Sequence, residues 1–170
     1  MMRARRSFGA CLAALLVTAG SLLVTAGPAH AVTVDQTCIG TEVTSFNPPL
    51  TFTPQLVTIT VSGVYPGCTD REAFNGSYSE TFTLTASCVV LLDSGSPTRT
   101  FVWGNPAAQP STFNYNVTSD VLGQVVVTNT GLITSGKFAP ASAQQVITLV
   151  TPNSAQCAGS GISNVTGTTH

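Results

Sequence analysis

Between His30 and the last residue, His170, the chain has no histidine. A Ser-His-Asp or Cys-His relay needs an imidazole held in an ordered site, so neither can be assembled from the intervening residues. The GxSxG, HExxH, P-loop and dinucleotide-binding patterns are also missing, and with them the common routes to acyl, phosphoryl and hydride transfer. Charge is scarce: Lys and Arg together number 6, and Asp and Glu 7, among 170 residues. There is no CxxC pair to anchor a structural zinc ion. Tryptophan occurs once, at Trp103. The longest apolar stretch, 11–27, falls short of the ~20 residues that a spanning helix needs.

What is present at the start is an export pattern. Arg3, Arg5 and Arg6 form a positive head, 12–24 is apolar and uncharged, and Ala29-His30-Ala31 places small residues where signal peptidase cuts. The apolar core repeats Leu-Leu-Val-Thr-Ala-Gly at 15–20 and 22–27. Residues 1–31 are expected to be a cleaved signal peptide and 32–170 a single secreted domain with no membrane insertion. Arg5-Arg6-Ser7-Phe8 partly resembles a twin-arginine signal but lacks the usual flanking residues. Cys11 precedes the apolar run, the wrong side for lipidation. Loss of the three leader arginines takes the formal net charge from −1 to about −4. Only Arg71, Arg99 and Lys137 then remain as cations, too few for a phosphate-tracking surface, so no nucleic-acid partner is expected.

After cleavage four cysteines remain, Cys38, Cys68, Cys88 and Cys157, an even number in an oxidising compartment. Two disulfides are expected. A hairpin of 38–46 with 55–65 across Asn47-Pro48-Pro49 would bring Cys38 and Cys68 to one open end, leaving Cys88 for Cys157. Spacing alone allows three pairings.

Period-two alternation dominates the rest. In 78–90, Tyr78, Phe82, Leu84, Ala86 and Cys88 fall on one face and Ser79, Thr81, Thr83, Thr85 and Ser87 on the other, a separation that only a half-buried strand makes. Val57, Ile59 and Val61 alternate in the same way with Thr58, Thr60 and Ser62, and Phe113, Tyr115 and Val117 with Asn114, Asn116 and Thr118. Further strands are expected at 98–103, 124–130, 131–138, 145–151 and 161–168, with turns at Pro66-Gly67, Gly104-Asn105-Pro106, Thr130-Gly131 and Ser135-Gly136. No window carries a helical period. The expected fold is all-β: an immunoglobulin-like antiparallel β-sandwich of about eight or nine strands, with a closed barrel as the alternative.

Few residues are left to carry chemistry. Asp70 and Glu72, with Arg71 between them, are the one carboxylate pair, and a glycosidase would need two acids across a groove. A solvated loop is the plainer reading. The 65–75 loop, beside Cys68, is the only candidate for a rigid protease-inhibiting loop. Trp103 and Tyr115 are the candidate ligand contacts: exposed, their rings could stack on sugars; buried, they are core. No catalytic residue, cofactor or metal ligand is assigned.

The stretches Cys38-Ile39-Gly40-Thr41, Asn47-Pro48-Pro49-Leu50-Thr51, Gly63-Val64-Tyr65-Pro66-Gly67-Cys68, Thr85-Ala86-Ser87-Cys88 and Thr98-Arg99-Thr100-Phe101-Val102-Trp103 together resemble small secreted proteins of unassigned function from filamentous actinobacteria. The resemblance covers most of the chain after the leader. It implies bacterial export and a β-sandwich, and brings no activity or ligand. The functional expectation is a secreted, non-enzymatic domain that binds a cell-wall glycan or another secreted or surface protein. The alternative is a small-molecule carrier, like the apoproteins of enediyne antibiotics, with which the likeness is one of expected fold only.

Overall fold

The computed structural model describes residues 36–89, 97–120, 125–151 and 153–170. The expected signal peptide lies outside the described residues. Eight strands follow one another: β1 (Cys38–Leu50), β2 (Gln55–Cys68), β3 (Gly76–Ala86), β4 (Thr98–Trp103), β5 (Ser111–Asp120), β6 (Val125–Ser135), β7 (Ser142–Leu149) and, after the short helix α1 (Ser154–Ala158), β8 (Ile162–Thr169). Each pairs antiparallel with the next, and β1 pairs with β8, so the sheet closes into a barrel.

This corrects the expected sandwich. Alternation says that each strand has one buried face; it does not say whether the first and last strands meet. They meet here from Gly40 opposite Thr169 to Ser45 opposite Asn164, which removes both sheet edges. A barrel of eight strands is just wide enough for its own side chains to fill. Inward Val57, Ile59 and Phe113 are accordingly fully enclosed.

Three turn assignments also change. Pro66-Gly67 lies within β2, which runs on to Cys68. Thr130-Gly131 is no turn, since β6 runs straight through it. Gly131 lies opposite Tyr115, where an added Cβ would sit 1.9 Å from the Asn114 carbonyl oxygen, so the glycine serves a close approach of strands. The first turn falls at 51–54 instead of Asn47-Pro48-Pro49, because β1 continues until Leu50 is fully buried opposite Ile162 of β8. His170 is ordered into the sheet, its backbone exchanging two hydrogen bonds with Val146.

Two disulfides fasten the ends. Cys38 is directly opposite Cys68 in the β1–β2 ladder, and the two are bonded. At the other end Cys88 is bonded to Cys157, the buried residue of α1, whose N-terminus is capped by the Asn153 side chain accepting from Ala155 N–H. These bonds span 30 and 69 residues, worth ~3.5–4.5 kcal/mol each by restricting the unfolded chain. They suit an oxidising environment. Among the described residues no helix is long and apolar enough to cross a membrane.

One seam of the barrel is thin. The β3–β4 ladder comprises only Gly76 opposite Trp103 and Ser77 opposite Val102 among the described residues. Continuing that register would set Tyr78 opposite Phe101 and Glu80 opposite Arg99. Those pairs do touch, but through side chains: the Tyr78 and Phe101 rings meet edge to face at 5.4 Å, and Arg99 binds Glu80. Backbone N–H groups of β3 that point toward β4 beyond Ser77 should therefore exchange with solvent faster than those that point toward β2. Residue-resolved hydrogen exchange measures this, and equal protection on both sides would refute it.

Candidate functional site

The barrel interior holds a polar cluster around Arg99. Its guanidinium donates to Glu80 on β3 and Gln145 on β7, lies 3.6 Å from the Glu42 carboxylate on β1, and sits over the Tyr78 ring at 4.3 Å. Tyr78 donates to Glu42 Oε2 at 2.7 Å, and Tyr115 to Glu80 Oε1 at 2.8 Å. The Gln145 amide donates to Tyr65, Tyr78 and Thr169 at 2.7, 2.9 and 3.0 Å, and its oxygen accepts from Asn129 Nδ2 at 3.0 Å. Strands β1, β2, β3, β4, β5, β6, β7 and β8 all contribute.

Local sequence explains how this fits. Gly63 of β2 lies between Glu42 and Tyr78 in the cross-strand row. A Cβ there would fall 2.0 Å from Tyr78 Cζ, so only glycine lets the phenol cross β2 to reach Glu42.

Both Glu42 and Arg99 are 3% exposed. One cation thus faces two carboxyl groups out of water. Burial raises the Glu42 pKa, against the lowering pull of the Tyr78 hydrogen bond and the Arg99 charge. Burial likewise pushes the Tyr65, Tyr78 and Tyr115 phenols up. Burial opposes the charge of Arg99, but the hydrogen bond and charge of Glu80 more than offset it, so its pKa is raised. The cluster's members come from all eight strands, so it links the barrel wall from inside, with Glu80 its least buried member.

Trp103 and Tyr115, singled out for ligand contact, both point inward. Tyr115 stacks on Phe113 at 5.0 Å and belongs to the Arg99 cluster. Trp103, 8% exposed, stacks on Phe101 at 6.0 Å, meets Phe138 edge-on at 5.6 Å, and donates from Nε1 to Ser111 Oγ at 3.0 Å. The core alternative is the one the fold takes.

The 65–75 loop is exposed but tightly braced. Gln36 bonds to Asp70 N–H and the Ala73 carbonyl, both at 2.8 Å, and Cys68 N–H to the Phe74 carbonyl at 2.7 Å. Asp70 Oδ1 accepts from the N–H groups of Glu72 and Ala73, and Lys137 reaches Glu72 at 2.8 Å and Asp70 at 3.4 Å. The Ala73 N–H chiefly holds the Asp70 carboxyl below its ordinary pKa, the reverse of what a general acid needs. The Glu72 hydrogen bond raises Lys137. Asp70 also folds residues 70–73 into a tight turn, whereas a protease cleft takes an extended segment.

Beside this loop lies a surface feature with no sequence signal of its own, a shallow depression of about 320 Å³ across β2, β3 and β4. Outward Val64 and Val102, 54% and 51% exposed, are its walls with Pro66. Gly76, Ser77 and Gly104 leave the floor low, Asn75 stands at the rim, and Trp103 lines the base. The depression arises because a serine sits between two valines in the row Val64–Ser77–Val102. Only strand pairing reveals that row.

Two outcomes follow from the Arg99 cluster. Arg99→Leu leaves two buried carboxyl groups without their cation and should cost about 3–5 kcal/mol in denaturant unfolding; a loss under about 1 kcal/mol would show the pair to be dispensable. Because the folded-state pKa of Glu42 is raised, folding binds its proton more tightly, and that contribution is present below the ordinary glutamate value and lost as pH rises through the raised one. Comparing melting of the wild type with Glu42→Gln at about pH 5 and pH 7 should show the wild type losing more stability on going up; parallel pH slopes would refute the assignment. No family model, curated protein or solved structure matches this chain, so the reading of its sites rests on their geometry and chemistry.

Proposed function

We propose that the protein is a secreted, non-enzymatic binding module that engages a glycan or another extracellular protein through the outer surface of the barrel, around the β2–β3–β4 depression. The observation that carries this is the occupancy of the two surfaces. The inward positions are filled by the Arg99 cluster and by ring contacts running from Tyr65 through Tyr78 and Phe101 to Trp103. A carrier of the kind first entertained would need that space for its cargo. Among the described residues, a concavity with apolar walls lies on the outside.

Export is supported by the leader pattern and by two disulfides. Outward Ser77, Ser79, Thr81, Thr83 and Thr85 on β3 suit water, whereas lipid-facing strands present an apolar band. A non-enzymatic role is supported by the four acids whose side chains are described: Glu42 and Glu80 face Arg99, and Asp70 and Glu72 pair with Lys137.

The test is retention of the exported chain on cell-wall, chitin and cellulose preparations. Trp103→Ala is a poor probe, because removing a buried indole costs about 3–5 kcal/mol whatever it binds. Val102→Arg fills the depression from an exposed position and should abolish retention, while Thr118→Arg, exposed on β5, should leave it intact. Equal retention of the two variants would remove the depression from the binding surface.

A further inference from the structure

We propose that the depression is the end subsite of a track along the outer faces of β2 and β3 that holds a linear, uncharged polysaccharide; this rests on the surface-binding reading above and names its ligand class. Leading away from the Val64–Ser77–Val102 row, three cross-strand pairs of hydroxyls follow in register: Ser62 with Ser79 at 3.2 Å, Thr60 with Thr81 at 3.2 Å, and Thr58 with Thr83 at 3.4 Å. Successive pairs are two residues apart, roughly 6.7 Å along a strand, so the track from Val64 to Thr58 extends roughly 20 Å. That is long enough for several sugar rings in a row, with the depression receiving the one at the end. At about 320 Å³ it lies at the small end of the ~300–1,000 Å³ range of ligand clefts.

The chemistry of each pair matches a sugar. A hydroxyl carries one donor and two acceptor sites, so the single bond within a pair leaves one O–H and several lone pairs facing outward. Threonine methyl groups beside them offer apolar contact to the C–H faces of a ring. Val64 and Val102 do the same in the depression.

Charge selects the occupant. On the faces of β1, β2 and β3 that look outward, the residues are Ser, Thr, Asn, Val, Ile, Leu, Pro and Gly, with no ionisable side chain. Glu42, Glu80 and Arg99 are inside, while Asp70, Arg71, Glu72 and Lys137 lie in the end loops. An anionic polymer would find no cation on the track and would lose hydration for nothing. A protein partner would find none of the exposed Trp, Tyr or Arg anchors on which interfaces concentrate their energy. A neutral polymer of hydroxyls exchanges water hydrogen bonds for like ones.

The experiment titrates the exported chain with cellohexaose, chitohexaose and, as the anionic counterpart, polygalacturonate, following heat and backbone amide shifts. Saturable binding to a neutral hexamer is expected, with shifts on β2 and β3 and none for polygalacturonate. Thr60→Val/Thr81→Val keeps shape and β-branching while deleting one hydroxyl pair, and should weaken binding at least tenfold; Ser62→Ala/Ser79→Ala serves if the first pair disturbs folding. Binding lost in Val102→Arg yet unchanged in the hydroxyl variants would sink the track and leave the depression as a binding site. Failure of all three to bind would overturn the proposal and turn the surface-binding reading toward a protein partner, and binding of polygalacturonate alone would overturn it in favour of an anionic glycan.

Discussion

Arg99 stands on β4 at a level where the backbone ladder to β3 has already ended. Its guanidinium reaches across that gap to Glu80, across the barrel to Gln145, and close to Glu42. The thin wall is thereby closed from inside by a charge-assisted bond instead of a row of amides. Much else is arranged around this one side chain. Gly63 makes room for the Tyr78 ring on which the guanidinium lies, and Tyr115 both donates to Glu80 and accepts from Arg99. Arg99 Nε is the one buried side-chain atom left unpaired among the described residues, a cost the other contacts must outweigh. Buried ion pairs rarely add net stability over apolar packing, but they are severely unforgiving of the loss of one partner.

Placing these charges inside leaves the outer wall unusual for a protein in water. The outer wall of β1, β2 and β3 is made mostly of hydroxyls, with exposed Val43 and Val64 among them and exposed Val102 beside them on β4. Among the described side chains the ions outside the barrel interior include Asp70, Arg71, Glu72 and Lys137 in the end loops, where Lys137 ties residues 70–72 to the segment after β6. A neutral, hydroxylated wall and a filled interior point to the same conclusion: contact with a partner, if made along the strands, is made by hydrogen bonds and small apolar surfaces.

The disulfides divide the labour of closing the barrel. Cys38–Cys68 fixes the first ladder at the loop end, and Cys88–Cys157 holds the opposite end, where the chain leaves β3 and later enters α1. Between them the sheet closes on itself, so that neither covalent bond has to compensate for an open edge.

Alternation along 57–62, 78–86 and 113–118 determined, from the sequence alone, that these are half-buried strands, and which residues face in. The even cysteine count determined that two disulfides were available, and hairpin geometry brought Cys38 opposite Cys68. Period two carries no information about closure, however, so the choice between sandwich and barrel waited on β1 meeting β8. Glycine was ambiguous for a similar reason. Gly131 reads as a turn in one dimension and proves in three to be room for the Asn114–Tyr115 backbone of the neighbouring strand, and Gly63, which carries no turn signal, is room for the Tyr78 ring. Nothing in the sequence marks Glu42, Glu80 and Arg99 as a cluster, since they are 38 and 19 residues apart along the chain and only the closed barrel makes them neighbours. Trp103 and Tyr115 were visible as candidates, but whether a ring faces solvent or core depends on which neighbours the closed sheet sets against it. The depression had no signal at all in the sequence, since it exists only where a serine of one strand falls between valines of two others.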